Sequence, residues 1–212
     1  MWMRGVTTAA IGRASRSAIA GSHGGGASTP TGSPREDAAA HAPPPESQEP
    51  LWYDRAGLFA DIKRGFVLDW AGHHGANHWG RVRRHALDIA RARDADMLVV
   101  ELFAFLHDSQ REDEWRDPKH GDRGAEYARA LQGRFYDLST KALSQLTHAI
   151  RHHSGGEVST DATIQSCWDA DRLDLGRVGI TPAAEFLSSE GAARIELAYR
   201  WSLGGQHRLS SR

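Results

Sequence analysis

One apolar stretch that ends in two polar residues constrains this 212-residue chain more than any other feature. Residues 98–108 read LVVELFAFLHD, and a helix built from them is apolar on nearly every side. Such a helix belongs in the middle of a hydrophobic core. His107 and Asp108 at its end are costly to bury unless they are paired, hydrogen-bonded or bound to a metal ion. The stretch therefore predicts a central helix whose last two residues have polar partners elsewhere in the chain.

Helical periodicity dominates the chain from residue 51 onwards. Apolar residues recur at helical spacing, whereas alternating apolar runs and hairpin turns, the signals of strands, are nearly absent. We predict an all-α fold, a compact single-domain bundle of about seven helices over residues 51–205, followed by a short tail at residues 206–212. Asn77 is expected to cap a helix over residues 78–93.

The segment after the central helix is expected to be a loop. Residues 109–124, SQREDEWRDPKHGDRG, are polar and contain one proline and two glycines. A short helix is predicted to resume over residues 125–131, and Ser139 and Asp161 are predicted to cap two later helices. Because functional residues often lie on loops of a rigid scaffold, this loop is a candidate for substrate contacts.

Composition bears on location and partners. Residues 1–50 are rich in Gly, Ala, Ser, Thr and Pro without a sustained apolar period, which predicts a disordered extension. Its Arg-containing, acid-poor start also has the composition of an organelle transit peptide. The net charge of −1 gives no reason to expect a nucleic-acid partner, and no apolar run approaches the roughly 18–20 residues of a membrane span. One cysteine fits a reducing compartment, and we predict a cytoplasmic location without membrane attachment.

His107 and Asp108 alone are too few ligands to hold a metal ion tightly, so further ligands must come from other helices. Adjacent residues of a helix diverge by about 100°, but at a helix end they can face one ion. His78, at the start of the preceding helix, and Asp171, among apolar neighbours in CWDADRLDLG, are the candidates. Imidazole nitrogen together with carboxylate oxygen suits Mn, Fe, Co, Ni or Zn better than Ca, and Mg would also be accepted.

Three segments, in this order, resemble the HD-domain superfamily of metal-dependent phosphohydrolases. HWGRVRRHALDIA is similar to the family's first helix, ELFAFLHDSQ to its central His-Asp helix and DADRLD to its last-ligand helix, over about residues 70–180. The resemblance implies the all-α HD fold. It also implies four metal ligands: His78, His107, Asp108 and Asp171. Asp171 is preferred over Asp169 because the family pattern places the ligand directly before Arg-Leu.

Further histidines lie between the His-Asp pair and the last aspartate. Some HD proteins hold a second ion there with two additional histidines, for which the candidates are His120 and either His152 or His153. Otherwise these side chains bind phosphate or are solvated, and we expect one ion rather than two. Three other histidines are expected at the surface or as capping residues: His73, His74 and His85.

Phosphate binding calls for cationic donors near the metal ligands. The substrate-binding candidates are Arg123, Arg151 and His152. The catalytic candidates are Asp108, Glu112, Lys119 and Arg123. Some family members use an acidic residue three places after the Asp to orient water; that position here is Arg111, so Glu112 is the substitute. Taken singly, each of the basic residues is better explained as a solvated surface charge.

The resemblance implies hydrolysis of a phosphoester. The metal would lower the pKa of water, and basic loop residues would offset the developing charge. We expect a small phosphorylated substrate, a nucleotide or a related metabolite. Two alternatives stay open: a two-iron HD oxygenase that resembles inositol oxygenase, and a non-catalytic HD module that binds a metal or another ligand.

Overall fold

The computed structural model describes residues 52–204, and the regular secondary structure in this range is helical. Eight α-helices follow one another: α1 (Arg55–Gly65), α2 (Ala76–Arg93), α3 (Met97–Leu106), α4 (His120–Leu131), α5 (Thr140–His152), α6 (Ala162–Leu173), α7 (Ser189–Ala192) and α8 (Ile195–Gly204). Two 3₁₀ turns, Asp174–Val178 and Ala184–Phe186, lie between α6 and α7. Extended pairing in the described residues is limited to isolated bridges around Tyr136. The all-α prediction is therefore confirmed.

Two predicted segments, the extension at residues 1–50 and the tail at residues 206–212, lie outside the described residues. The eighth helix, beyond the seven or so expected, is accounted for by α7, which is a single turn of four residues. Among the described helices, none combines the length and the apolar character that crossing a membrane requires.

Helix α3 lies at the centre of the fold. Asp96 caps it by accepting hydrogen bonds from two backbone N–H groups of the first turn, and residues 99–106 are all buried. The helix packs against α2, α4, α5 and α6. Its one acidic residue, Glu101, is paired with Arg55 and Arg83 at 2.6 Å each. Because helices surround α3, the residues directly after its end are held inside the protein.

Helix α2 begins at Ala76, and its N-cap is Gly75 rather than Asn77, so the predicted cap was wrong. A Cβ atom at Gly75 would lie 2.2 Å from the carbonyl oxygen of Trp70. The N–H of Ala76 donates to the same oxygen at 2.9 Å. The chain can thus turn into α2 because glycine allows the backbone to approach Trp70 closely. This start places His78 in the first turn of α2, where it is buried.

Helix α4 begins at His120, inside the segment predicted as a loop, so that part of the prediction was wrong. Gly121 and Gly124 are helical residues that face α5. A Cβ atom at Gly121 would lie 2.6 Å from the carbonyl oxygen of Arg151, and one at Gly124 would lie 3.0 Å from Cγ2 of Ile150. The glycines therefore permit close packing of α4 on α5, and this packing brings the start of α4 beside the end of α5.

Candidate metal centre

Four side chains converge beside the end of α3: His78 from α2, His107 and Asp108 directly after α3, and Asp171 from α6. His78 Nε2 lies 3.0 Å from His107 Nε2 and 3.5 Å from both Asp108 Oδ2 and Asp171 Oδ1. His107 Nε2 lies 3.4 Å from Asp108 Oδ2 and 3.6 Å from Asp171 Oδ1. We call these four side chains the first ligand group. The structure thus brings together the four residues that the sequence assigned to one ion.

The spacing of the first ligand group fits a divalent ion. Ligand atoms about 2.1 Å from an ion, at angles of roughly 90–110°, lie about 3.0–3.4 Å from one another. The separations described above run from 3.0 to 3.6 Å. His78 and His107 are fully buried, whereas the Asp171 side chain is 14% exposed. The group can hold a metal ion that remains reachable from one side.

The other oxygen of Asp108 faces a second pair of histidines. Asp108 Oδ1 lies 3.6 Å from His120 Nε2 and 3.5 Å from His153 Nε2, and these two nitrogens are 3.0 Å apart. We call Asp108, His120 and His153 the second ligand group. His152 lies elsewhere, with its ring 4.6 Å from the ring of His148 between centroids. Asp108 therefore joins the two groups, with one carboxylate oxygen in each.

The four histidines of the two groups turn their Nδ1 atoms towards oxygen acceptors. The acceptors are the Asp174 carboxylate, 2.7 Å from His78, the Phe103 carbonyl, 3.1 Å from His107, the Asp117 carbonyl beside His120, and the Ile150 carbonyl, 2.6 Å from His153. A neutral imidazole that donates from Nδ1 carries a lone pair on Nε2. Two Nε2 atoms only 3.0 Å apart share either a proton or a metal cation. The donor set is therefore arranged for metal binding.

Charges within the two groups displace their pKa values. Burial opposes a charge on His107, but Asp108 and Asp171 outweigh it and raise the pKa of His107 to about 10. Burial also opposes charge on the two carboxylates, yet the neighbouring histidines hold the pKa of Asp108 and of Asp171 below the usual range. Burial and the nearby ring of His153 lower the pKa of His120 to about 4. The carboxylates are thus ionised and attract positive charge.

Comparison with solved structures identifies the fold. A predicted HD superfamily hydrolase from an uncultured Thermotogales bacterium is similar to this chain, with a TM-score of 0.56 and 24% sequence identity over 75% of this chain and 92% of that chain. This chain has the HD-superfamily fold. No protein-family profile and no curated protein matches the sequence. The three segments that resemble HD proteins in sequence lie on α2, at the end of α3 and on α6 of this fold.

Within the HD fold, Asp174 orients His78, a role that the sequence analysis did not assign. Asp174 is buried, and its Oδ2 accepts the hydrogen bond from His78 Nδ1 at 2.7 Å. Arg81 donates to its two oxygens at 2.6 and 3.0 Å. Burial opposes the charge on Asp174, but His78 and Arg81 hold its pKa below the usual range. One feature of the sequence could have indicated this contact. Arg81 lies three residues after His78, and Asp174 lies three residues after Asp171.

Two of the predicted catalytic residues hold the loop after α3 in place. Arg123 donates to the carbonyl oxygen of Gln110 at 3.1 and 2.9 Å and to Asp117 Oδ2 at 2.5 Å. Glu112 is 68% exposed and lies 3.5 Å from Arg123. These contacts use the Nε and Nη2 atoms of the guanidinium. The catalytic roles of Arg123 and Glu112 remain predictions.

The other predicted substrate contacts lie on α4 and α5. Arg151 donates to Asp122 at 3.0 Å and to Glu126 at 2.8 Å, which ties α5 to α4. Lys119 is exposed at the N-cap of α4, and His152 stacks beside its neighbour on α5. None of their described contacts reaches either ligand group, and their substrate roles remain predictions.

Two side chains that the sequence analysis did not select lie beside the ligand groups of the HD fold. The Arg111 side chain is 11% exposed, and its Nη1 lies 3.5 Å from Asp108 Oδ1. Among the described residues, no hydrogen-bond partner meets its buried Nε atom. His74 is buried, with Nδ1 2.6 Å from Glu114 Oε2 and its ring 6.3 Å from the ring of His78. A cation and an imidazole thus border the centre.

The expectation of surface positions was wrong for two of the three remaining histidines. His73 is exposed, but His74 is buried and His85 is fully buried. The ring of His85 packs 4.9 Å from that of Trp201, and burial together with Arg194 lowers its pKa to about 4. Helix α8, which carries Trp201, covers His85, and this cover could not be foreseen from local sequence.

Proposed function

We propose that this protein is a metal-dependent phosphohydrolase that acts on a phosphoester of a small molecule. The observation that carries the proposal is the position of Asp108, whose two oxygens face two separate pairs of histidine nitrogens at 3.4–3.6 Å. Two divalent ions on one shared carboxylate, about 3.5–4 Å apart, recur in enzymes that hydrolyse phosphoesters. The similar fold of a protein described as a predicted hydrolase supports the same reaction class.

Two ions, rather than the single ion expected from the sequence, suit this donor set better. The first ligand group offers two imidazoles and two carboxylates, and the second offers His120, His153 and Asp108 Oδ1. Three protein ligands leave coordination positions open for water and substrate. Ions bound here would supply Lewis acidity, which lowers the pKa of water and offsets phosphoryl charge. Donors this rich in nitrogen favour Mn, Fe, Co, Ni or Zn over Mg.

Arg111 is the cation best placed to bind the phosphoryl group. Its Nη1 lies 3.5 Å from Asp108 Oδ1, which is longer than a normal charge-assisted hydrogen bond. Its buried Nε has no hydrogen-bond partner in the part of the chain that the structure describes. A guanidinium with unused donors can bind two phosphoryl oxygens at once. We therefore assign to Arg111 the substrate-binding role for which the sequence analysis chose Arg123, Arg151 and His152.

The test is turnover of phosphoesters by protein of defined metal content. The full chain is stripped with a chelator, reloaded with Mn²⁺, Co²⁺, Ni²⁺ or Fe²⁺, and assayed on a panel of phosphomonoesters and phosphodiesters. We expect two ions per chain and turnover that disappears on stripping. Asp108→Ala should remove the second ion, weaken binding of the first and abolish turnover, because both ligand groups share that side chain. Arg111→Met should lower kcat by about 10²-fold with both ions retained.

A matched control is Arg129→Met on α4, because Arg129 is half exposed and pairs only with Glu126 among its described contacts. This variant should keep both the ions and the turnover. The hydrolase proposal fails if protein with two bound ions turns over no member of a broad panel. The assignment of Arg111 fails if Arg111→Met and Arg129→Met behave alike.

The two-iron oxygenase is the second candidate, because a carboxylate shared by two histidine pairs would also hold two irons. Oxygen separates the two reactions. Hydrolysis proceeds equally well without O₂, whereas an oxygenase stops. Arg111, a buried cation beside Asp108, favours an anionic substrate and so favours hydrolysis.

A further inference from the structure

The loop between Asp108 and His120 presents an exposed indole. Trp115 is 82% exposed, the highest value among the large hydrophobic side chains that the structure describes as exposed. Exposure of this much aromatic surface to water costs free energy. Because both ends of the loop are metal ligands of the proposed centre, whatever covers Trp115 lies near that centre.

The exposed position of Trp115 is built into a well-anchored loop. Asp113 Oδ1 accepts hydrogen bonds from the backbone N–H groups of Trp115 and Arg116, each at 2.7 Å. Asp117 Oδ2 accepts from the N–H of Glu112 at 2.8 Å. The backbone on both sides of the indole is therefore fixed, and the ring is held outwards by a defined turn.

Contacts with the segment before α2 locate the indole beside the first ligand group. Glu114, the neighbour of Trp115, binds His74 at 2.6 Å, and the ring of His74 lies 6.3 Å from the ring of the metal ligand His78. The exposed ring of His73 lies 6.0 Å from the indole, with an angle of 56° between the planes. Trp115 and His73 thus form one aromatic edge, which we call the aromatic rim, next to the metal centre.

We propose that the aromatic rim stacks the aromatic group of the substrate, and that the substrate is a nucleoside monophosphate or a similar aryl-bearing phosphoester. The inference rests on the proposed phosphohydrolase function. A planar base has a π-face that stacks on an indole whatever its hydrogen-bonding edge. With the phosphoryl group at Arg111 and Asp108, the ribose would extend from the metal centre towards the rim. Trp115 is then a specificity-determining residue that contributes to binding and takes no part in proton transfer.

The experiment compares two substrates that differ in the base. Adenosine 5′-monophosphate and ribose 5-phosphate are assayed with the wild-type protein and with Trp115→Ala, Trp115→Phe and Trp52→Ala. Trp52 is also an exposed tryptophan, at 50%, and serves as the matched control. We expect Trp115→Ala to lower kcat/KM for the nucleotide by about 5- to 150-fold, mainly through KM. Trp115→Phe should restore most of it, and ribose 5-phosphate should be hydrolysed equally well by every variant.

Binding is measured separately, by calorimetric titration of adenosine 5′-monophosphate into protein loaded with metal. If Trp115→Ala binds the nucleotide more weakly and Trp52→Ala does not, the result supports the aromatic rim even when no phosphoester is hydrolysed. The proposal of hydrolase activity and the proposal of the aromatic rim can therefore fail separately. Equal loss on both substrates, or no loss on either, overturns the inference. A change of oligomeric state in Trp115→Ala with nucleotide binding intact also overturns it, because the rim would then be covered by a second copy of the chain.

Discussion

Asp174 shows how one residue outside the proposed ligand set orients a side chain within it. It fixes the His78 ring through the 2.7 Å hydrogen bond to Nδ1, and Arg81 fixes Asp174 in turn. Loss of such a partner of a ligating histidine typically lowers metal affinity by about 10- to 100-fold. We predict that Asp174→Asn weakens ion binding at the first ligand group by this factor and spares the ion at His120 and His153. Competition with a chelator of known affinity measures both ions.

The control for this variant is Asp169→Asn, one turn away on α6. Asp169 is also buried, but it accepts hydrogen bonds from Gln165 and Ser188 and contacts neither ligand group through its described hydrogen bonds. The Asp169→Asn variant therefore measures how much metal affinity falls when a buried carboxylate outside the ligand groups is replaced. If Asp169→Asn reduces metal affinity as much as Asp174→Asn, the orienting role of Asp174 is refuted.

At the scale of residues, much of the candidate site could be predicted from the residue types and their order in the chain. His78, His107, Asp108 and Asp171 were chosen because their segments resemble one family, and in the structure the Nε2 atoms of both histidines lie within 3.6 Å of both carboxylates. The sequence analysis did not select Asp174, because its hydrogen-bond partner His78 lies 96 residues away in sequence. Only the matched three-residue spacing from His78 to Arg81 and from Asp171 to Asp174 pointed to this contact.

At the scale of elements, the crossing of α4 and α5 places His120 against His153. The Cβ of Gly121→Ala would lie 2.6 Å from the carbonyl oxygen of Arg151, a backbone atom that cannot turn away. The helices must separate, and we predict a loss of about 1–3 kcal/mol in the free energy of unfolding together with a weaker second ion. Chemical denaturation and metal counting measure the two effects. Gly80→Ala is the control, because nothing lies within 4 Å of the added methyl group, and it should stabilise α2 slightly. Wild-type stability with two ions in Gly121→Ala would contradict the prediction.

The prediction of elements succeeded where the signal is local and failed where it depends on a tertiary contact. Ser139 and Asp161 were expected as N-caps, and both side chains accept hydrogen bonds from the first turns of α5 and α6, because capping is a local interaction. Residues 109–124 were expected to be a loop throughout, since Gly commonly ends helices. Yet Gly121 and Gly124 lie in α4, where they serve a tertiary contact with α5, and local sequence cannot distinguish that use from a turn.

At the scale of the whole molecule, the proposed ions would link five helices. The ligands come from α2, the end of α3, the start of α4, the end of α5 and α6, so segments from residue 78 to residue 171 meet at one point. The apolar surface of α3 positions these helices, and four imidazoles and two carboxylates meet beside its end. The ions would therefore stabilise the fold as well as supply chemistry.

Metal removal should accordingly lower the melting temperature of the full chain. A ligand at 100 times its dissociation constant that binds only the folded state stabilises it by about 2.7 kcal/mol. For a domain of this size that corresponds to roughly 5–10 °C for each ion removed. Scanning calorimetry of chelator-treated protein, titrated back with Mn²⁺ or Co²⁺, measures the shift. The shift should be smaller in Asp108→Ala, because that residue serves both groups and the variant keeps only the three other ligands of the first group. A chelator-dependent shift of full size in Asp108→Ala would mean that the stabilising ions bind elsewhere, for example at the His148 and His152 pair on α5.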